Sequence, residues 1–306
     1  MDRFQEMQIF IAVAEEEGFA AAARRLHISP PSVTRAIAAM EERIGTQLLS
    51  RTTRNVHLTE AGQRYLEDCR RILSELDEAE EAAAGSYSIP CGYLTVTAPV
   101  LFGELYVAPL LTDYLDQFPS VHLNALLVDR VVNMTDEGID VAIRIGHLHE
   151  NGQHAIKVGE VRQVICAAPA YFERYGRPRH PAELKAARLV MSSASHLLSD
   201  WQFMEGANPL SLRFDPRLVV TANQAAINIA CLGWGITRVL SYQVARHVAD
   251  GALEVVLEDF ELPALPIHVV YQKSNRVPAK VRTFVDFLAG RLGGDETLKS
   301  LVKGIG

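Results

Sequence analysis

The sequence predicts an α/β chain preceded by an N-terminal all-α, winged-helix unit and a long linker helix. Three observations carry that expectation. Residues 18–44 read as two short amphipathic helices joined by a brief turn. Residues 59–84 repeat apolar side chains at three- and four-residue steps, as one long helix does. From Cys91 onward strand and helix patterns alternate, which implies sheets flanked by helices.

The chain opens with a helix over residues 3–16. Phe4, Met7, Ile11 and Ala14 recur there at helical spacing and are expected to form its core face. A second helix starts at Gly18-Phe19 with Phe19, Ala20, Ala23 and Leu26 on one face, and its alanines let a neighbouring helix approach closely. His27-Ile28-Ser29-Pro30-Pro31 marks the turn into a third helix, with Ser29 as N-cap and Pro30 at the first helical position. Val33, Ile37, Met40 and Ile44 share one face of that helix, completing a helix-turn-helix.

The opposite face carries Ser32, Arg35 and Ala39, with Pro31, Thr34 and Ala38 at its margins. Small and hydrogen-bonding side chains with one arginine, near a helix N-terminus, suit the DNA major groove, where a guanidinium donates two hydrogen bonds to guanine. An ordinary solvated face has the same periodicity, so the next segment decides. Residues 48–58 read as strand, turn and strand with Arg51 and Arg54 at the tip, a wing whose arginines clamp phosphates. The candidate DNA contacts are Ser29, Pro31, Ser32, Thr34, Arg35, Arg51, Thr52 and Arg54.

Thr59 is placed to cap the long helix, which runs to about residue 84. Its apolar positions, Ala61, Tyr65, Cys69, Ile72, Leu76, Ala79 and Ala83, approximate a heptad seam flanked by glutamates. Such a seam beside a DNA-binding unit favours dimerisation, which sets two recognition helices at adjacent half-sites. Residues 85–90 form a hinge. Beyond it, strands are expected at 93–97, 121–128, 141–145, 162–167, 188–192, 217–221 and 267–271. Helices are expected at 102–118, 131–137, 223–232, 241–249 and 278–291, giving largely parallel sheets.

Ser29-Pro30-Pro31-Ser32-Val33-Thr34-Arg35-Ala36-Ile37, Met40-Glu41, Ile44-Gly45, Leu48-Leu49, Arg51 and Leu58-Thr59-Glu60-Ala61-Gly62 resemble the DNA-binding domain of LysR-type transcriptional regulators. Pro30 stands where many members have a glutamine that can contact DNA, so that contact is lost here. The resemblance implies a domain at 1–58, a dimerising linker at 59–90, and an effector-binding domain at 91–306 similar to type 2 periplasmic solute-binding proteins. That domain would have two α/β lobes, 91–161 plus 267–306 and 162–266, with a ligand cleft between them. Asp140 to Gly146 matches a common strand of the first lobe. The resemblance also implies dimers or tetramers on an interrupted palindrome, a small organic effector, and an effect on RNA polymerase access.

Ligands of open α/β sheets bind beyond strand carboxyl ends, near helix N-termini. Three segments meet that condition: Pro99, Val100, Leu101 and Phe102; Arg144 and Ile145; and Thr221 with Asn223. The resemblance adds Ser193. Arg144 suits an effector anion or an internal salt bridge equally, and Asn223 is read first as a helix cap. Many members place Ser or Thr in the first segment to hold a carboxylate; Pro99, Val100 and Leu101 make it apolar here, so an effector with a sizeable apolar part is expected.

The formal net charge is −7, and residues 1–60 hold seven arginines against eight acidic residues. Placement therefore supports DNA binding better than total charge does: Arg24, Arg25, Arg35, Arg51 and Arg54 gather around the proposed face. No apolar run is long enough to span a membrane and no export signal opens the chain, so a cytoplasmic protein is expected. Cys69, Cys91, Cys166 and Cys231 lack CxxC spacing and read as reduced, structural thiols rather than a redox switch. His147, His149 and His154 have loop composition and read as solvated rather than as metal ligands. Hydrolase, zincin and phosphate-loop motifs are missing, and Gly233-Trp234-Gly235 is too short for a dinucleotide fingerprint, so neither an enzyme nor a cofactor is expected. The alternative is a small-molecule binding protein without regulatory output, which residues 91–306 alone would support.

Overall fold

A computed structural model describes residues 2–51, 56–83, 90–148, 152–193, 200–273 and 277–298. The chain falls into two units, Met1–Tyr93 and Leu94–Gly306. The first contains α1 (Arg3–Glu15), α2 (Phe19–Arg25), α3 (Pro30–Ile44), β1 (Leu49–Arg51), β2 (Val56–Leu58) and α4 (Glu60–Ala83).

Helix α1 corrects the expected core face. Phe4 is 39% exposed, whereas Ile9, Phe10, Ala12 and Val13 are buried. Its sequence is apolar around most of the circumference, and it packs against α2, α3 and α4, so spacing alone selects no face. Glu6 is buried on this helix because Arg43 of α3 pairs with it at 2.7 Å. In α3, Val33, Ala36, Ile37 and Met40 are buried, while Ile44 at the end is exposed. Burying Phe10, Ile37 and Met40 contributes about 1.5–3 kcal/mol each. Helix α3 stops at Gly45, whose left-handed φ of 78° lets the chain reverse into the wing.

Thr59 caps α4 as expected: its Oγ1 accepts from the Gly62 amide at 2.9 Å and donates to the Gln47 carbonyl at 2.8 Å. Gly62 is sterically required there, since a Cβ on it would lie 1.9 Å from the Leu48 carbonyl oxygen. Further along, Leu66 and Cys69 are buried in the helical core, with Ala61, Tyr65 and Leu73 packed against it. The first three positions of the expected seam therefore serve this unit's own core. Ile72 and Leu76 are half-buried and take no part in it. Of the expected hinge, only Pro90 lies within the described residues.

The second unit contains β3 (Gly92–Ala98), whose first two residues belong to the first unit, then α5 (Val100–Phe102) and α6 (Ala108–Gln117) joined by a π turn at Gly103–Val107. Next come β4 (Val121–Leu127), β5 (Val141–Ile145), β6 (Gln153–Val161), β7 (Gln163–Ala167), α7 (Pro169–Tyr175) and β8 (Val190–Ser192). They are followed by β9 (Asp200–Glu205), β10 (Asn208–Arg213), β11 (Leu218–Val220), α8 (Asn223–Cys231), β12 (Thr237–Leu240) and α9 (Ser241–Ala249). The last are β13 (Glu254–Val256), β14 (Leu265–Gln272) and α10 (Ala279–Gly293).

The sheets are mixed rather than largely parallel. One has the order β4-β3-β5-β14-β6, with β3 and β5 parallel and β14 antiparallel to both neighbours. A second has the order β12-β7-β13, with β7 antiparallel to both. The parallel pair β11-β8 extends it through a bridge between Leu189 and Ile236. The two assemblies share one plan, in which the strand arriving from the other half, β14 or β7, runs against its neighbours. A helix was expected at 131–137, but the chain forms turns there because the Asn133 side chain accepts the Thr135 and Asp136 amides. His154 also departs from expectation: it lies in β6, stacked at 5.4 Å on Tyr271 of β14, not in a loop. Among the described residues no helix is long and apolar enough to cross a membrane.

Candidate DNA-recognition face and ligand cleft

The start of α3 is held by its own side chains. Ser29 Oγ accepts from the Ser32 amide at 3.3 Å and shares a hydrogen bond with Ser32 Oγ at 2.8 Å. Pro31, Thr34, Arg35, Ala38 and Ala39 are exposed along one face, and Ser32 is half-exposed. Arg35 Nε donates to the Pro31 carbonyl at 3.3 Å and Thr34 Oγ1 to the Pro30 carbonyl at 3.2 Å. Both bonds are to the helix's own backbone and leave the guanidinium amino groups and the face itself open. The backbone of Arg51 pairs with Val56 across the wing. Thr52 and Arg54 lie outside the described residues.

One further residue positions this face. Glu41 Oε1 accepts from the amides of Leu48 and Leu49 at 2.8 and 3.0 Å, tying the wing to α3. That contact depends on the Gly45 reversal, which no spacing rule reveals. Arg25 departs from its expected place in the arginine cluster: it pairs with Glu15 at 2.7 Å, as Arg70 of α4 does at 2.7 Å. Burial tends to raise the Glu15 carboxyl pKa, but Arg70 and Arg25 outweigh it and hold it below the usual value.

In the second unit, Val100, Leu127, Val128, Asp129, Arg130, Ser193 and Thr221 line an open cleft of about 370 Å³, within the ordinary range for small-molecule sites. Three of the sequence-derived candidates, Val100, Ser193 and Thr221, meet there. Leu101 and Phe102 do not: they are 6% and 0% exposed and belong to the core, with Phe102 packed on Tyr106 and Tyr242. Pro99 precedes α5 as its N-cap residue. Arg144 donates to the Val132 carbonyl at 2.9 Å, and Ile145 packs against the core. The N-cap of α8 is Ala222, so Asn223 is its first helical residue and makes no cap bond.

Leu127 to Arg130 were missed because they are the last residue of β4 and the three that follow it, and pattern alone does not show that β4 ends beside β3. Here the Val128 amide donates to the Ala98 carbonyl at 3.0 Å, aligning the two strand ends. The buried thiols show no sign of activation. Burial pushes Cys69 up to about 11 and Cys166 up to about 12, so both stay protonated at neutral pH.

Residues 4–63 match the profile of the bacterial regulatory helix-turn-helix proteins of the lysR family, and residues 89–293 that of the LysR substrate binding domain. An HTH-type transcriptional regulator of Xanthomonas campestris pv. campestris is 35% identical over 292 residues, covering 94% of this chain and 85% of its own length. The regulator DmlR of Escherichia coli K12 is 31% identical, covering 92% of each chain. Among solved structures, CrgA from Neisseria meningitidis is 27% identical with a TM-score of 0.61, covering 96% of this chain and all of its own. Full-length AphB, the Vibrio cholerae virulence activator, is 25% identical with a TM-score of 0.61, covering 94% and 99%. With both family profiles in order along the chain, the exposed α3 face and the cleft belong to a LysR-type, DNA-binding transcriptional regulator.

Proposed function

We propose that this regulator senses a small organic effector in the Val100–Thr221 cleft and converts its presence into altered operator binding. The observation that carries the reading is the composition of the cleft. Val100, Leu127, Val128, Asp129 and Arg130 come from the first sheet and its connections, whereas Ser193 and Thr221 follow β8 and β11 of the second. A ligand touching both walls binds one lobe arrangement better than another, and only such differential affinity shifts an equilibrium. The lobes divide as 91–161 plus 267–306 and 162–266. Residues 1–58 read DNA, and 59–90 pair two copies, as a homodimer or a tetramer of paired dimers. In the cytoplasm, the assembly grips an interrupted palindrome and changes the access of RNA polymerase.

Thermal unfolding of the full chain against aromatic, aliphatic and amino-acid metabolites tests this reading. An effector at about 100 times its dissociation constant stabilises the protein by about 2.7 kcal/mol. The same compound is expected to shift the affinity for operator DNA. A compound that stabilises the chain at this cleft yet leaves DNA affinity unchanged would contradict the coupling.

A further inference from the structure

The amide at the start of α5 is already occupied. Val100 N–H donates to Asp129 Oδ1 at 3.1 Å, so the helix N-terminus, where an anionic ligand would otherwise be held, faces a fixed carboxylate. Asp129 is half-buried and lines the cleft. Arg130, the one cation among the described lining residues, is engaged by both Glu137 oxygens at 2.8 and 2.5 Å. Arg144, the candidate partner for an anion, donates to the Val132 carbonyl. A carbonyl leaves the Arg144 charge intact, but Arg144 is not among the described lining residues; with Arg130 paired to Glu137, the lining charge left over is that of Asp129. Its field reaches inward: the Tyr242 phenol is held above its usual pKa mainly by burial, with the Asp129 charge adding to the rise.

A second carboxylate brought beside Asp129 meets like-charge repulsion. An ammonium gains a charge-assisted hydrogen bond instead. Val100, Leu127 and Val128 supply an apolar surface next to that charge, and Ser193 and Thr221 bring hydroxyls on the facing wall. A cavity of about 150 Å³ holds benzene, so 370 Å³ admits a ring with a short polar arm.

We propose that the cleft takes an amphipathic organic amine, whose ammonium pairs with the Asp129 carboxylate and whose apolar body lies on Val100, Leu127 and Val128. This assignment rests on the cleft being the effector site.

The test is a titration of the full chain at pH 7 with benzylamine, phenethylamine and octylamine. Each is compared with the carboxylate of matching skeleton, phenylacetate and 3-phenylpropanoate among them, by thermal unfolding and calorimetry. The amines are expected to bind and the acids to be excluded. Asp129→Asn keeps an oxygen for the Val100 amide but removes the charge, and is expected to weaken amine binding at least about ten-fold. Thr221→Trp, at an exposed position on the rim, is expected to abolish it. Preference for the acids, amine binding indifferent to Asp129→Asn, or no response to any amine overturns the cation assignment and leaves the effector-cleft reading standing. Binding that persists in Thr221→Trp places the ligand elsewhere and overturns the cleft reading as well.

Discussion

Gly62→Val is expected to destabilise the N-terminal unit by about 3 kcal/mol, at the upper end of overpacking costs, and to abolish operator binding. Two effects oppose each other. Valine carries a helix cost of its own, so replacing the helical glycine gains only about 0.3–0.5 kcal/mol of propensity. Against that, a Cβ here meets the Leu48 carbonyl oxygen at 1.9 Å, and the obstacle is backbone held in place by Glu41 and Thr59. Relief requires moving α4 off the wing, which also disturbs the recognition helix through Glu41. Packing therefore outweighs propensity. Thermal unfolding of the variant should show an early transition for residues 1–93 with the later transition of residues 94–306 retained. An unchanged melting profile would mean that α4 does not sit on Leu48.

Ile72→Glu with Leu76→Glu is expected to give a monomer whose operator affinity falls by about 10²–10⁴, the gain that linked half-sites ordinarily provide. Ala61, Tyr65 and Cys69 contribute to the intramolecular core, so the proposed pairing surface starts further along α4 than heptad spacing alone implies. Ile72 and Leu76 are the half-buried apolar residues that follow. Sedimentation velocity checks the oligomeric state, and titration of a full operator against a single half-site checks the affinity. A double variant that stays dimeric would move the pairing surface off α4.

Local signals carried much of this architecture. Ser29 and Thr59 are caps, and a cap acts over three or four residues, so α3 and α4 begin where their sequence says. Periodicity also located the buried face of α3. It failed on α1, where apolar residues surround the axis and three neighbouring helices decide burial. In the second unit β5 and α9 fell where expected, and β3 and α8 within a residue, because each is a short apolar run bounded by turn signals. The β9-β10 hairpin was overlooked, although Trp201 and Phe203 alternate inward along β9. Strand direction is non-local, which is why alternation alone implies largely parallel sheets although β14 and β7 run against their neighbours. The same limit hid Asp129: its role arises from β4 ending beside β3, a pairing between segments separated by a whole helix.

The exposed face of α3 is expected to read DNA sequence. Selection of random duplex DNA by the full chain, repeated with Arg35→Ala, tests it most directly. The parent chain is expected to enrich an interrupted palindrome. Arg35→Ala should lose about 1–3 kcal/mol of discrimination at one position of each half-site, with the other positions unchanged. Failure to enrich any sequence over random DNA would contradict the claim, and a uniform loss across sequences in the Arg35→Ala selection would reassign that side chain to phosphate.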